Sequence, residues 1–183
     1  MPLEPTALIG VSATAGAFTK EAIEKMTRLN PRPIVFALSN PTSRSECTAE
    51  QAYAWSGGQA LFASGSPFDA VTIGARTWVS RQGNNSYIFP GVGLGAIAVR
   101  ARRVTDEMFL AAAKQLADEV TKSDLDQGSL YPPLAQVREV SSKIATAVAE
   151  VAYAQGHAAV ERPADLHAHV RSCMYDPRYP RYV

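Results

Sequence analysis

Two adjacent carboxamides, Asn84 and Asn85, are the side chains whose type and position most clearly suggest chemistry. They stand in the stretch QGNNSYIFPG, where the apolar run Tyr87-Ile88-Phe89 follows at once. Adjacent asparagines are typical of exposed turns, yet this pair lies against a segment whose composition predicts burial. Carboxamide N–H groups are neutral hydrogen-bond donors. Donors fixed at the edge of a core favour a ligand-binding loop.

Three other short polar segments also adjoin apolar runs, and each of them directly follows its run. They are SATAG (12–16), SNPT (39–42) and SGSP (64–67). SNPT alone is also typical of an Asx-type turn. Ligands of parallel α/β sheets bind outside the carboxyl ends of the strands. We therefore expect these three loops, with the Asn84-Asn85 loop as a fourth, along one rim of a sheet.

The elements that position these loops follow from the apolar runs, near 7–12, 33–38 and 60–64. None of the runs alternates apolar with polar residues, which predicts strands buried on both faces, as in a parallel sheet. Helical patterns separate them, one capped by Thr19 and one by the capping box Thr48-x-x-Gln51. Right-handed crossovers then give a partial Rossmann-like α/β sheet of about three parallel strands.

The chain beyond Pro90 reads as a helical C-terminal region. We expect one helix to begin near Ala96 and a third to follow Pro132-Pro133 and end at Gly156. Between them, a second helix should begin at Thr105 and place Phe109, Ala112, Leu116 and Val120 on one face. Residues 161–183 are rich in Pro, Tyr, Arg and His and are predicted to be an extended tail. The predicted division is therefore a domain at 1–160 and a tail at 161–183.

Composition excludes several classes of partner. A net charge of +1 over 183 residues gives no electrostatic reason for nucleic-acid or membrane binding. No stretch approaches the roughly 18 apolar residues of a membrane span. Two distant cysteines are too few for a disulfide framework, and no secretory leader is visible. We therefore expect a soluble, cytoplasmic protein.

Five long motifs follow one another along the chain. They are LIGVSATAGAFT (8–19), RPIVFALSNPTSRSECTAEQAY (32–53), LFASGSPF (61–68), QGNNSYIFPGVGLG (82–95) and QGSLYPPLAQVREVS (127–141). In sequence and in order, they closely resemble motifs of the malic enzymes. The resemblance implies oxidative decarboxylation of malate to pyruvate and CO₂, with NAD or NADP and a divalent Mg²⁺ or Mn²⁺. It covers only the C-terminal part of that family's NAD-binding domain.

The resemblance also assigns roles to individual residues. Asn40 matches an asparagine that contacts both malate and the nicotinamide side of the cofactor, and Asn84 and Asn85 match a pair that reaches the substrate carboxylate. The residues that line the cofactor groove correspond to Val11, Ser12, Ala13 and Ser39, with Asn40. The family's catalytic tyrosine and lysine and its metal ligands match nothing here, which implies that the chain alone is incomplete for catalysis.

Two further hypotheses stay open, and both keep the fold without the chemistry. One is a non-catalytic nucleotide-binding or regulatory domain, and the other is an oligomerisation module. Three parallel strands would leave an exposed sheet edge, and such an edge favours a homo-oligomer. Locally, Gly91-x-Gly-x-Gly95 indicates close helix packing or, less directly, phosphate binding. Cys47 indicates packing or redox sensitivity, and Arg100, Arg102 and Arg103 indicate a helix end or an anion contact.

Overall fold

The computed structural model describes residues 4–178. Three strands, β1 (Ala7–Gly10), β2 (Ile34–Ala37) and β3 (Leu61–Ser64), form one parallel sheet in the order β1-β2-β3. The predicted α/β fold with three parallel strands is confirmed. Gly10 pairs with Ala37, and Ala37 pairs with Ser64. The strands thus end level, so that the loops that leave them start side by side.

Two helices make the crossovers, and both begin at the predicted caps. Helix α1 (Lys20–Leu29) starts at Thr19, whose hydroxyl accepts from the N–H of Ala22. Helix α2 (Ala49–Trp55) starts with the Thr48–Gln51 capping box. Gly58, in the left-handed region at φ 75°, donates to the Tyr53 carbonyl at 2.7 Å and ends that helix.

A hairpin of short strands, β4 (Val71–Ile73) and β5 (Arg76–Trp78), was not predicted. Its last residue, Trp78, stacks on Tyr53 with ring centroids 5.3 Å apart, and Tyr53 meets Phe62 edge-on at 5.9 Å. The hairpin therefore supplies an aromatic side chain to the core beside the sheet. Three-residue strands carry too short a pattern for alternation to be recognised.

The chain divides into two compact units. The first comprises Met1–Asn85 with Glu119–Leu134, and the second comprises Ser86–Asp118 with Ala135–Val183. The first unit holds both sheets, α1, α2 and the short helix α5 (Lys122–Asp126). The second holds α3 (Phe89–Ala98), α4 (Asp106–Asp118), α6 (Val137–Ala154) and α7 (Leu166–Ser172). Within residues 4–178 no helix is long and apolar enough to cross a membrane.

Close packing of α3 on α6 organises the second unit. A Cβ at Gly91 would lie 2.5 Å from the Ile144 side chain, and one at Gly95 would lie 2.5 Å from the Ala145 carbonyl oxygen. Close helix packing, the first reading of these glycines, is thus confirmed. On α6, Val140, Ile144 and Val148 are buried, as their spacing predicts.

Three predictions in the second unit are wrong in detail. Helix α3 begins at Phe89 and not near Ala96, because Pro90 suits a first helical turn and the glycines allow close packing. Helix α4 buries Ala112 and Leu116 as predicted, but it buries Met108 in place of Phe109, which is 43% exposed. The segment 161–178 is not wholly extended, because α7 lies in it and His169 hydrogen-bonds the Ala98 carbonyl at 2.9 Å. Residues 179–183 of the predicted tail lie outside the described part of the chain.

Candidate functional site

The polar loops after the three strands are joined by backbone hydrogen bonds at the carboxyl edge of the sheet. The N–H of Leu38 donates to the Gly10 carbonyl at 2.9 Å, and the N–H of Gly65 donates to the Ala37 carbonyl at 3.0 Å. A Cβ at position 65 would lie 2.1 Å from the Leu38 carbonyl oxygen, so only glycine permits this approach. The expected rim of adjacent loops therefore exists.

The amide loop joins the same rim as a fourth segment. Gln82 forms a parallel bridge with Ser64, the last residue of β3, and its side chain donates to the Gly65 carbonyl at 3.2 Å. The N–H of Gly83 donates to the Ser64 carbonyl at 2.8 Å. These bonds fix the chain just ahead of Asn84 and Asn85. Asn84 is half-buried, whereas Asn85 is exposed and opens a 3₁₀ turn.

The apolar run that follows the amides is only partly buried. Tyr87 is buried, but Phe89 is 58% exposed. The expected burial of the Tyr87-Ile88-Phe89 run is therefore wrong for Phe89, which begins α3 with its side chain towards solvent. The Gln82 and Gly83 hydrogen bonds to β3 and its loop also hold the amides.

Asn40 is held by its neighbour across the rim. The Ser66 hydroxyl donates to Asn40 Oδ1 at 2.5 Å. Because the oxygen of the carboxamide is engaged by Ser66, the Nδ2 group is the end of the side chain that can donate to a ligand. A Cβ at Gly65 would approach this nitrogen to 3.0 Å. The Asn40–Pro41 peptide bond is cis.

The loop after β1 rests on a buried carboxylate, Glu46. Glu46 Oε1 accepts from the Ser12 N–H at 3.1 Å and from the Ser39 hydroxyl at 2.5 Å. Its Oε2 accepts a longer bond from the Ser39 N–H at 3.4 Å. The Ser39 hydroxyl oxygen in turn accepts from the Ala13 N–H at 2.8 Å. One carboxylate thereby joins the loops that follow β1 and β2.

Glu46 is fully buried, yet it is held in its charged form. Burial acts to raise the pKa of its carboxyl. The hydrogen bonds from the Ser39 hydroxyl and from the N–H groups of Ser39 and Ser12 outweigh this and leave the pKa below its usual range. Burial, with the nearby Glu46 charge, raises the pKa of the Cys47 thiol to about 12. Cys47 is therefore a buried, protonated packing residue and not a reactive thiol.

Gly10 makes room for Glu46 at the end of β1. A Cβ at this position would lie 2.6 Å from the Glu46 side chain and 2.7 Å from the Phe18 ring. The carboxylate can reach the strand end only because position 10 has no side chain. Glu46 was not recognised as a site residue from sequence, since its partners are up to 34 residues away. Its small neighbours, Ser45 and Cys47, were the only hint of burial.

A buried ion pair also supports the amide loop. Arg81 contacts Asp124 Oδ1 at 2.8 Å with both side chains largely buried, and donates to the Tyr131 carbonyl at 2.5 Å. Asp124 Oδ2 accepts from the Thr121 N–H and hydroxyl at the start of α5. A Cβ at Gly83 would lie 3.1 Å from the Tyr131 hydroxyl. Arg81 and Tyr131 thus place residues 119–134 directly behind the amide loop, and sequence reasoning did not identify either.

The surface of the rim suits a cofactor ring better than a metal ion. Val11 is 75% exposed, and Ser12 and Ala13 are exposed beside it, with Ala13 in the left-handed region at φ 53°. These small side chains leave the loop backbone accessible, and the nearby donors are neutral. Within residues 4–178 no group of three or more His, Cys, Asp or Glu side chains could hold a metal ion. The described residues therefore do not fit a metal site.

Known proteins match this chain over nearly its whole length. The family model described as malic enzyme, NAD binding domain, matches residues 2–153. The chloroplastic NADP-dependent malic enzyme of Flaveria pringlei is 52% identical over 98% of this chain. The NADP-dependent malic enzyme of Phaseolus vulgaris is also 52% identical over 98% of it. The chain spans only 28% and 31% of the lengths of these two relatives.

Solved structures give the same result for the fold. The Entamoeba histolytica malic enzyme matches 93% of this chain with a TM-score of 0.73 at 27% identity, and 33% of that chain is covered. The malic enzyme of Pyrococcus horikoshii matches 92% of this chain with a TM-score of 0.69 at 30% identity, and 35% of that chain is covered.

The expectation of a cytoplasmic location is wrong. Relatives at 50–52% identity from Flaveria pringlei, Zea mays and Oryza sativa are described as chloroplastic. The cysteine argument failed for a physical reason. A low number of unpaired cysteines indicates a reducing compartment, but it does not distinguish one reducing compartment from another.

Proposed function

Because the chain belongs to the malic enzyme family, through its NAD-binding domain, we propose that it forms part of the cofactor and malate site of a decarboxylating malate oxidoreductase. The enzyme would oxidise malate to pyruvate and CO₂ and reduce the nicotinamide cofactor. The observation that carries the proposal is the rim itself. Four loops with small or neutral polar side chains meet at the carboxyl edge of a parallel sheet, where such folds bind ligands.

The cofactor would lie along the first two loops. Val11, Ser12, Ala13, Ser39 and Asn40 are the residues proposed to line its groove. Val11, Ser12 and Ala13 offer an exposed surface, while Ser39 is buried and fixes the Ala13 N–H from below. Curated relatives at 50–52% identity are described as NADP-dependent, so we propose NADP rather than NAD.

Malate would be oriented by three carboxamides, those of Asn40, Asn84 and Asn85. Neutral N–H donors can fix a dicarboxylate without a positive charge that would compete with a divalent metal for it. The loops that carry them are fixed by the hydrogen bonds of Ser66, Gln82 and Gly83 before any ligand binds. Preorganisation of this kind reduces the entropic cost of binding.

Metal dependence and assembly are parts of the same proposal. Mg²⁺ or Mn²⁺ would polarise the ketone and stabilise negative charge on the enolate, and residues 4–178 contain no cluster of side chains that could hold the ion. We propose a homo-oligomer, because Ile9 on β1 is 59% exposed in a strand with an open edge. Residues 1–160 would be the cofactor-domain part and residues 161–183 its C-terminal segment, which α7 joins to α3 through the His169–Ala98 hydrogen bond.

Cofactor binding by the 183-residue chain can be tested with amide NMR spectra. Addition of NADP⁺ should shift the resonances of Ser12, Ala13 and Ser39 and leave those of the β4–β5 hairpin in place. Val11→Asp should weaken the shifts, because a strongly hydrated carboxylate would replace the apolar side chain that contacts the cofactor. Ile73→Asp is the matched control, since Ile73 is an exposed apolar residue on β4, and it should bind as the wild type does.

Two results would contradict the proposal. One is a wild-type chain whose rim amides do not respond to NADP⁺. The other is an equal loss of the response in Val11→Asp and Ile73→Asp.

A further inference from the structure

The buried carboxylate of Glu46 makes none of the proposed contacts to the cofactor or to malate. It is fully buried at the ends of β1 and β2, directly beneath residues that line the proposed cofactor groove. The partners that the structure gives it are all neutral, namely the N–H groups of Ser12 and Ser39 and the Ser39 hydroxyl. Within residues 4–178 its negative charge is therefore solvated by dipoles and has no cationic partner.

The charge state of this group is fixed by geometry. A carboxylate that accepts three hydrogen bonds from fixed donors is stabilised as an anion even where water is excluded. In agreement, the pKa of Glu46 lies below its usual range despite burial. The site thus contains a permanent negative charge at neutral pH, in a region where the effective dielectric constant is lower than in water.

The two forms of a nicotinamide cofactor differ in charge at one position. The oxidised ring carries one positive charge, the reduced ring carries none, and the phosphates are the same in both. We propose that Glu46 is a positioning residue that also selects the oxidation state of the cofactor, so that its charge favours the oxidised over the reduced nicotinamide. This inference rests on the proposed function, because it requires the ring to lie on the loop that Ser12 and Ala13 form.

Selection of this kind would serve the proposed reaction. Malate oxidation consumes the oxidised cofactor and must release the reduced one. A negative charge beneath the ring strengthens binding of the substrate form and leaves the product form without the same attraction. A unit charge about 10 Å from another at an effective dielectric constant near 20 changes a binding constant by about tenfold.

The experiment measures dissociation constants of NADP⁺ and NADPH for the 183-residue chain and two variants. Glu46→Gln removes the charge and keeps the size, so the preference for NADP⁺ over NADPH should fall by about tenfold. Glu46→Asp keeps the charge on a shorter side chain, so affinity for both forms should fall while the preference remains. Amide NMR spectra of each variant report folding, and the Ser12 and Ser39 resonances report the lost hydrogen bonds.

The outcomes separate this inference from the function on which it rests. If wild type binds both cofactors and Glu46→Gln weakens both by the same factor, Glu46 is merely structural and the inference is overturned while the function stands. The same conclusion follows if Glu46→Asp loses the preference as fully as Glu46→Gln does. If the wild-type chain binds neither form, both the inference and the cofactor assignment are overturned.

Discussion

Two ion pairs at α5 differ in burial, and their removal should therefore have very different effects on stability. Arg81 and Asp124 meet at 2.8 Å with side chains 17% and 10% exposed. Lys122 and Asp126 meet at 3.1 Å with side chains 89% and 64% exposed. Replacement of one cation at a time by methionine removes the charge and keeps an unbranched apolar chain. The two variants form a matched pair, since both partners lie on one short helix.

Arg81→Met should be the more costly change by a wide margin. Removal of one partner of a buried pair destabilises by about 3–5 kcal/mol, because the other charge is left buried without compensation. Here Asp124 Oδ1 loses Arg81, while Oδ2 keeps the N–H and hydroxyl bonds of Thr121 at 3.0 and 2.6 Å. We therefore expect the lower end, about 3 kcal/mol. Lys122→Met should cost no more than about 0.5 kcal/mol.

Urea unfolding at pH 7, followed by tryptophan fluorescence, measures both values. Trp55 and Trp78 are the two tryptophans of the chain and both belong to the first unit, so the signal reports the unit that holds Arg81. The reasoning from burial would be refuted if the two variants lost the same unfolding free energy to within about 0.5 kcal/mol, which is the usual range for surface substitutions.

Low pH should destabilise the chain through the same Arg81–Asp124 pair. Burial acts to raise the pKa of Asp124, but the Thr121 hydrogen bonds and Arg81 outweigh it and hold the pKa below its usual range. A carboxyl with a lowered folded-state pKa contributes stability that is present above its unfolded pKa, about 3.9. That stability is lost as the pH falls through the folded-state pKa. Arg81→Met should therefore move acid unfolding to higher pH.

Four further outcomes are expected. In a complete enzyme that carries these loops, Asn85→Asp should impair malate kinetics more than Asn85→Ala. Alanine loses a hydrogen bond of about 1.5–3 kcal/mol to a charged group, and aspartate adds repulsion of about 4 kcal/mol at 4 Å; near-normal kinetics of the aspartate variant would exclude the assignment. Gly10→Ala should destabilise the chain in urea and shift the Ser12 amide resonance, because its Cβ would lie 2.6 Å from Glu46; an unchanged spectrum would contradict this. Light scattering should give a dimer or larger assembly that Ile9→Lys shifts towards monomer, whereas a wild-type monomer at all concentrations would refute the open-edge argument. The 183-residue chain with malate, Mn²⁺ and NADP⁺ should not generate NADPH, since its motifs match none of the family's acid–base residues, and activity that survives a contamination control would show that those residues were misplaced.

Local signals and one general rule were enough to predict the sheet and its rim. The strands follow from continuous apolar runs, and α1 and α2 follow from caps that act within three residues. The rim follows from the rule that parallel strands end together. Each of these arguments needs only neighbouring residues or the order of elements, which a single sequence contains.

The supports of the rim could not be predicted, because each joins residues far apart in the chain. Glu46 bonds Ser12 across 34 positions, and Arg81 pairs with Asp124 from a different segment. No periodicity marks such contacts. The predicted burial of Phe109 on α4 failed for a related reason, since Met108 and Phe109 are both apolar and only tertiary packing decides which of them is buried.

Glutamate at position 46 does two things at once. It accepts the hydrogen bonds that converge there, and it places a negative charge beneath the proposed groove. The donors that converge there are two N–H groups and one hydroxyl, and a carboxylate can accept from all three because it carries no proton. A glutamine would turn an NH₂ group towards a donor and leave a buried polar group unsatisfied, which costs about 1–3 kcal/mol. The positioning requirement alone therefore favours a carboxylate, and the negative charge beneath the groove follows from it. Glu46→Asp separates the two consequences, because it keeps the charge while the shorter side chain cannot reach every donor.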